Sequence, residues 1–192
     1  MFVGGILVGA AIHGPKPLVL AQPAATVEAP KWDLGDRWTY QRGKNEFTLT
    51  VVGTSGGYVV RQTGSNTGTF HYDSDLSSKD VHFGQFQFPL KVGKEWTNPL
   101  EGIALNGQPA KWNTKRKVEG MESVTVPAGT FDAVRMSARE CNLTYGDCGD
   151  YVIWYAPKAK QVAKITWTNA NYWPGFVKGL NQVLVSYEVH SP

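Results

Sequence analysis

The sequence predicts an all-β protein, a curved antiparallel sheet that forms a half-open or closed barrel with at most one or two short helices. Three observations carry this. Apolar and polar residues alternate with period two through nearly every segment. Gly, Pro, Asn and Ser clusters punctuate those segments as turns. No stretch sustains a helical period. The 192 residues are 42% hydrophobic and 18% charged. That is room for one domain, too apolar for a disordered chain and too low in charge for a coiled coil.

Residues 1–30 stand apart from the rest. Phe2–Ile12 is an apolar run about half the length of a spanning helix. It has the character of the apolar region of an export signal, and Val19-Leu20-Ala21 carries the cleavage spacing, with Gln22 after the cut. No Lys or Arg precedes Lys16, so the usual basic start is missing. The expected organisation is a signal peptide and disordered leader over 1–30 and a single β domain over 31–192. No transmembrane span is expected in the mature chain.

Within the domain the strands follow in order. Phe47, Leu49 and Val51 alternate with Thr48 and Thr50. Thr54–Gly57 then turns into Tyr58–Val60, and Arg42–Asn45 is the turn before. Asp75–Phe83 predicts one short helix, with Asp75 or Ser77 as its cap. Phe86 and Phe88 alternate with Gln85 and Gln87, and Asn106-Gly107 marks another turn. Lys111, Asn113, Lys115 and Lys117 share a strand face with Glu119, a solvated face whose lysines discourage edge pairing. Pro127-Ala128-Gly129 joins a fixed φ to a Gly tolerant of positive φ, a tight turn. Val134, Met136 and Ala138 alternate with Arg135 and Arg139. Tyr151–Ala156 is apolar on both faces and belongs mid-sheet, covered on each side. Ala163, Ile165 and Trp167, and then Val183, Val185, Tyr187 and Val189, complete a set of about ten strands.

Leu34-Gly35-Asp36-Arg37-Trp38 and Val92-Gly93-Lys94-Glu95-Trp96 share an aliphatic-Gly-x-x-Trp pattern. A Gly turn that enters a strand, with Trp a few residues in, anchors each half of a curved sheet; duplication is the other reading. The two cysteines, Cys141 and Cys148, have neither the spacing of a redox pair nor that of a zinc site. Asn142, Gly146 and Asp147 make the segment between them a turn, and a disulfide closing that hairpin loop suits an oxidising compartment.

Constellations that would carry catalysis fail on inspection. Gly53–Gly57 matches G-x-S-x-G, but the strand Tyr58–Val60 follows where a nucleophile elbow needs a helix. His71, Asp73, Asp75, Asp80 and His82 are metal-capable, yet they lack the Gly and terminal Glu of a calcium loop and form no HExxH. A turn with a capped helix accounts for them. Lys111–Lys117 is basic with a single Trp, short of the stacking aromatics that nucleic acid requires. A net charge of +3 also falls short of a dedicated nucleic-acid binder. No carboxylate pair has a spacing suited to general acid–base work. What remains is aromatic wealth: seven Trp, eight Tyr and eight Phe. The long segment Asn169–Leu180 carries Tyr172, Trp173 and Phe176, and serves as a core plug, a lid over an apolar cleft or a partner contact.

Three stretches resemble a broad group of exported bacterial β-proteins. Phe88–Trp96 looks like its FPLxVGxxW segment, Val124–Ala133 like its VxVPAGTFxA turn, and Tyr151–Pro157 with Val162–Lys164 like its WYAP strand. The fold of that group is similar to that of the LolA/LolB-like lipoprotein carriers, an incomplete barrel with an apolar concave face. The resemblance spans residues 32–190 and brings no catalytic residue with it. It implies an exported, non-enzymatic protein of the bacterial periplasm or cell envelope, without metal or cofactor. The expected partner is a hydrophobic small molecule, a lipid or a lipidated or other envelope protein, held by Trp38, Trp96, Trp112, Trp154 and the Tyr172, Trp173 and Phe176 loop. The chief alternative is a structural or assembly module of the envelope whose sheet is filled by its own side chains, and the third is an enzyme of unrecognised type.

Overall fold

A computed structural model describes residues 26–65, 67–77, 86–103, 107–170 and 179–190. Its strands are β1 (Thr26–Val27), β2 (Arg37–Arg42), β3 (Asn45–Gly53), β4 (Tyr58–Gly64), β5 (Gly68–Tyr72), β6 (Leu90–Lys91), β7 (Glu95–Ile103), β8 (Pro109–Val126), β9 (Gly129–Asn142), β10 (Cys148–Ala156), β11 (Gln161–Ala170) and β12 (Gln182–Glu188). The helical content among the described residues is a single 3-10 turn, Pro157–Ala159. Ten strands form one sheet in the order β5-β4-β3-β2-β12-β11-β10-β9-β8-β7, antiparallel throughout. β5 and β7 are its edges and do not pair with each other, so the sheet is half-open rather than a closed barrel. β1 pairs with β6 in a separate ribbon, which places Thr26 and Val27 within the folded chain.

The two Gly-x-x-Trp segments are the same turn built twice. Gly35 and Gly93 both hold positive φ, +90° and +85°. The Gly35 N–H donates to Val51 O at 2.9 Å and Val51 N–H donates to Asp36 O at 2.9 Å. In the second copy Gly93 N–H donates to Val118 O and Val118 N–H to Lys94 O, again at 2.9 Å. Each turn closes three residues back, Asp36 N–H to Asp33 O and Lys94 N–H to Lys91 O. The correspondence continues into the strands. Trp38 faces Leu49 and Trp96 faces Arg116, each two residues before the shared Val. A bulge follows that Val in both copies, at Val51/Gly53 and at Val118/Gly120. β2-β3-β4 and β7-β8-β9 are therefore structural repeats running the same way across the sheet.

Strict alternation explains most of the core. Trp38, Tyr40, Phe47, Val51, Val60 and Leu184 pack in one cluster, on the first repeat and β12. Val118, Val134, Met136, Ile153, Tyr155 and Ile165 form a second on β8–β11. The β8–β9 hairpin feeds both. Val134 and Met136 point one way into the second cluster, and Phe131 and Ala133, at odd positions of the same regular strand, point the other way into the first. β10 is likewise buried on both faces, with Ile153 and Tyr155 in the second cluster and Ala156 in the first. That is the mid-sheet, doubly covered strand its sequence predicts.

Two expectations change. Phe86 and Phe88 are not on a strand: both pack into the core, but residues 86–89 form no ladder. Pro89 has no N–H to give and restricts the residue before it, so alternation here marks burial in an irregular segment. Most of the helix expected over 75–83 lies outside the described residues. Its start is a turn, with Leu76 at φ +63° and Ser77 N–H donating to Asp75 Oδ1 at 2.9 Å. Asp80 and His82 also lie outside the described residues. Asp73 accepts from Ser77 Oγ at 3.2 Å, and no metal-holding group of three His, Cys, Asp or Glu occurs among the described residues. Gly53–Gly57 is the β3–β4 hairpin turn, and a Cβ on Gly57 would sit 2.3 Å from Tyr72 O, so only Gly fits.

Cys141 and Cys148 pair directly across β9 and β10 and are joined by a disulfide. Reduction, or the double change Cys141→Ser and Cys148→Ser, is expected to lower unfolding free energy by roughly 2–3 kcal/mol, from the closure entropy of so short a loop. Urea unfolding with and without reductant measures it, and an unchanged midpoint would refute a stabilising role.

Candidate functional site

The inner face of β7–β11 is ordered in rows across the strands. The deepest row is Val134, Tyr155 and Val162. Next come Val118, Met136, Ile153 and Ile165. The third row is Trp96, Arg116, Ala138, Tyr151 and Trp167. The fourth is Asn98, Thr114 and Glu140, and the last is Leu100, Trp112 and Asn142. Along the strands the face thus passes from aliphatic floor to a polar collar and then to an aromatic lip.

The collar is internally bonded and buried. Arg116 is 1% exposed. Its Nη1 donates to Asn98 Oδ1 at 2.9 Å and its Nη2 to Tyr151 Oη at 3.3 Å. Thr114 Oγ1 donates to Glu140 Oε2 at 3.1 Å. Burial pushes the Tyr151 phenol up to about 12; the Arg116 charge works against that shift and the Glu140 charge adds to it. Tyr151 therefore stays protonated at neutral pH, between a buried cation and a buried anion. Its ring packs on Trp167 with centroids 4.7 Å apart. Burial also raises the Tyr155 phenol strongly. A face of mostly apolar groups with a few converging polar ones is how binding sites for small amphiphilic molecules are built.

The outer face of the same strands is a lattice of exposed ion pairs. Lys111 meets Glu101 at 2.9 Å, Lys115 meets Glu95 at 2.9 Å, Lys117 shares Glu95 at 3.6 Å, and Arg139 meets Asp150 at 3.0 Å. The basic run 111–117 thus presents alternating charge rather than a positive stripe, because its strand sends Arg116 inward. Such pairs add little stability individually.

The aromatic residues singled out in the sequence do not form one group. Trp96 and Trp112 lie on the inner face, in the collar and lip rows. Trp38 belongs to the other half, fully buried, with its indole N–H donating to Ala159 O at 2.6 Å. Trp154 lies on the opposite face of β10 from Ile153 and Tyr155, half-buried against the first cluster, and the Lys164 ammonium sits 5.0 Å from its ring centroid. Tyr172, Trp173 and Phe176 lie outside the described residues. The collar residues Asn98, Thr114, Arg116, Glu140 and Tyr151 escape a sequence reading because Arg116 stands between Lys115 and Lys117. Only the strand register separates it from them.

A concavity of about 260 Å³ lies beside the first repeat, between Trp32, Asp33, Leu34, Thr54, Tyr58 and Ser74. Beside it Asp36, fully buried, accepts from Asp33 N–H at 3.0 Å, His190 N–H at 2.8 Å and Lys160 Nζ at 3.4 Å.

This architecture, an open antiparallel sheet made of two repeats around an inner face filled from both, defines a class of curved β-sheet proteins. A lipoprotein assignment is carried by a Parabacteroides distasonis chain of known structure that is 14% identical over 87% of this chain and 100% of its own, with a TM-score of 0.51. Two further solved chains are similar at lower scores. One, from Bacteroides fragilis, is assigned as an exported protein with a YmcC-like fold, 15% identical over 86% of this chain and 99% of its own, TM-score 0.46. The other is the hypothetical lipoprotein YmcC of Escherichia coli, 10% identical over 93% of this chain and 100% of its own, TM-score 0.48. At 14% identity the likeness to the first is one of fold. No protein-family model matches the chain, and no curated protein matches it by sequence.

Proposed function

We propose that this is an exported, non-catalytic protein of the bacterial cell envelope that holds a hydrophobic ligand, or the lipid of a lipidated partner, against the inner face of β7–β11. The observation that carries the reading is the gradient of that face, from the Val118, Met136, Ile153 and Ile165 row to the Arg116, Glu140 and Tyr151 collar. An amphiphile has the same order, an apolar tail and a polar head. The disulfide suits an oxidising compartment. The resemblance of three stretches to motifs of exported β-proteins and the fold likeness to a chain assigned as a lipoprotein support the same setting.

A second reading has its own observation. Trp38, Met136, Ile153 and Leu184 are each 0% exposed, as befits a structural or assembly module that fills its own sheet. Native mass spectrometry of the protein recovered after export, followed by solvent extraction, separates the two. Ligand binding predicts a reproducible adduct of lipid mass. Arg116→Met should weaken its retention about tenfold or more, as befits a lost charge-assisted hydrogen bond. A bare mass from gently purified protein would favour the self-filled module.

A further inference from the structure

The tip of the β9–β10 hairpin has an unusual combination of features. Leu143 is 62% exposed and Tyr145 45% exposed. They are two of the few large apolar side chains the described surface shows, and they stand two residues apart on one loop. The backbone N–H groups beneath them are bonded within the protein. Asn142 N–H donates to Asp147 O at 2.7 Å and Leu143 N–H to Lys111 O at 2.7 Å. Thr144 and Tyr145 N–H donate to Asn142 Oδ1 at 2.9 and 3.1 Å, and Gly146 N–H donates to Asn142 O at 2.8 Å. Five successive amides need nothing from solvent. The Cys141–Cys148 disulfide fixes the base of the loop.

We propose that this loop is an interfacial anchor that lays Leu143 and Tyr145 into the surface of a lipid bilayer. A turn whose amides are already bonded internally loses little on moving from water toward the hydrocarbon boundary of a bilayer, where unpaired backbone groups are costly. Tyrosine, with an apolar ring and a polar end, suits that boundary. The tip is too small for the alternative. Stable protein–protein contacts bury about 800 Å² on each partner, and this convex turn of six residues between the cysteines carries only two large apolar side chains. Insertion into lipid needs only such a projection. Charge plays a small part, since Lys111 is engaged by Glu101 at 2.9 Å and the half-buried Asp147 sits at the loop's base. Neutral lipid is therefore sufficient. The proposal is independent of a ligand on the inner face.

The test reads the loop locally, so that residues 1–25 do not dominate it. The full chain is labelled with 3-fluorotyrosine, and the Tyr145 signal is identified as the one missing in Tyr145→Phe. Phosphatidylcholine bicelles containing a nitroxide-bearing lipid are then added. The expected result is attenuation of the Tyr145 signal well beyond that of Tyr58, which lies on β4. Leu143→Ser should reduce the effect about tenfold, the contribution of one buried leucine side chain, with the near-ultraviolet dichroism unchanged. Equal attenuation of Tyr145 and Tyr58, or indifference to Leu143→Ser, would overturn the proposal. So would attenuation seen only with added phosphatidylglycerol and abolished by salt, which would assign the contact to charge. Self-association without lipid, relieved by Leu143→Ser, would overturn it in favour of a contact between copies of the chain.

Discussion

Trp38→Ala is expected to destabilise the protein by about 3–5 kcal/mol, the range for removing a large aromatic side chain from a packed core. Trp38 is wholly buried, lies 5.2 Å ring-to-ring from Trp32, and faces Leu49 and Tyr187 on the two neighbouring strands. Its indole N–H also ties β2 to the turn between β10 and β11 through Ala159 O. The substitution therefore opens a cavity and orphans a buried carbonyl at once. Against the roughly 5–15 kcal/mol that holds a domain together, this is a large share. Trp38→Phe keeps most of the volume and loses only the hydrogen bond, so it should cost about 1–3 kcal/mol. Trp154→Ala, at a half-buried position on the edge of the same cluster, should cost less than Trp38→Ala. Urea unfolding of the three variants checks the ranking. A Trp38→Ala loss below that of Trp154→Ala would contradict the placement of Trp38 as the anchor of the first repeat.

The strands were legible because their alternation is local and the turns carry their own chemistry. Pro127-Ala128-Gly129 reads as a hairpin turn, and β8 ends and β9 begins there, with Gly129 at φ +131°. The Gly-x-x-Trp echo was visible as residues, and duplication was one of its two readings, but sequence alone did not decide for it. Its proof lies in hydrogen bonds from Gly35 and Gly93 to valines 16 and 25 residues away, and unequal loop lengths hide such a match in sequence. The collar failed for another reason. Arg116, Glu140 and Thr114 are polar residues on an inner face, and hydropathy assigns them outward. Their partners sit on three different strands, so only the completed register shows that they meet. Phe86 and Phe88 show the converse: the alternation was real, and burial without a ladder produced it.

Asp36→Ala should cost about 3–5 kcal/mol, because it removes one member of a buried charged cluster and leaves its donors without an acceptor. The Asp36 carboxylate gathers four donors, from its own turn and from two distant segments: Asp33 N–H, Lys160 Nζ, His190 N–H and His190 Nδ1, the last at 2.8 Å. Its own backbone also accepts from Val51 N–H and donates to Asp33 O. Lys160 reaches it from a left-handed position, φ +56°, and also meets Asp33 at 3.3 Å. Burial alone would raise the Asp36 pKa; the hydrogen bonds from His190 and Asp33, with the Lys160 charge, outweigh it and hold the carboxyl below its ordinary range. The sign for stability follows. With the folded value depressed, the contribution is complete above the unfolded aspartate value of about 3.9 and is lost as pH falls through the folded value. Unfolding free energy should therefore hold from neutral pH to about pH 5 and decline steeply below about pH 4. Asp36→Asn keeps one acceptor oxygen and loses the titration, so its curve should lie lower at neutral pH and fall less in acid. Parallel acid limbs in the two proteins would show that other carboxylates govern the decline. A flatter limb in Asp36→Asn would identify this one buried group as the acid-labile tie between the start, the β10–β11 turn and the C-terminal end of the fold.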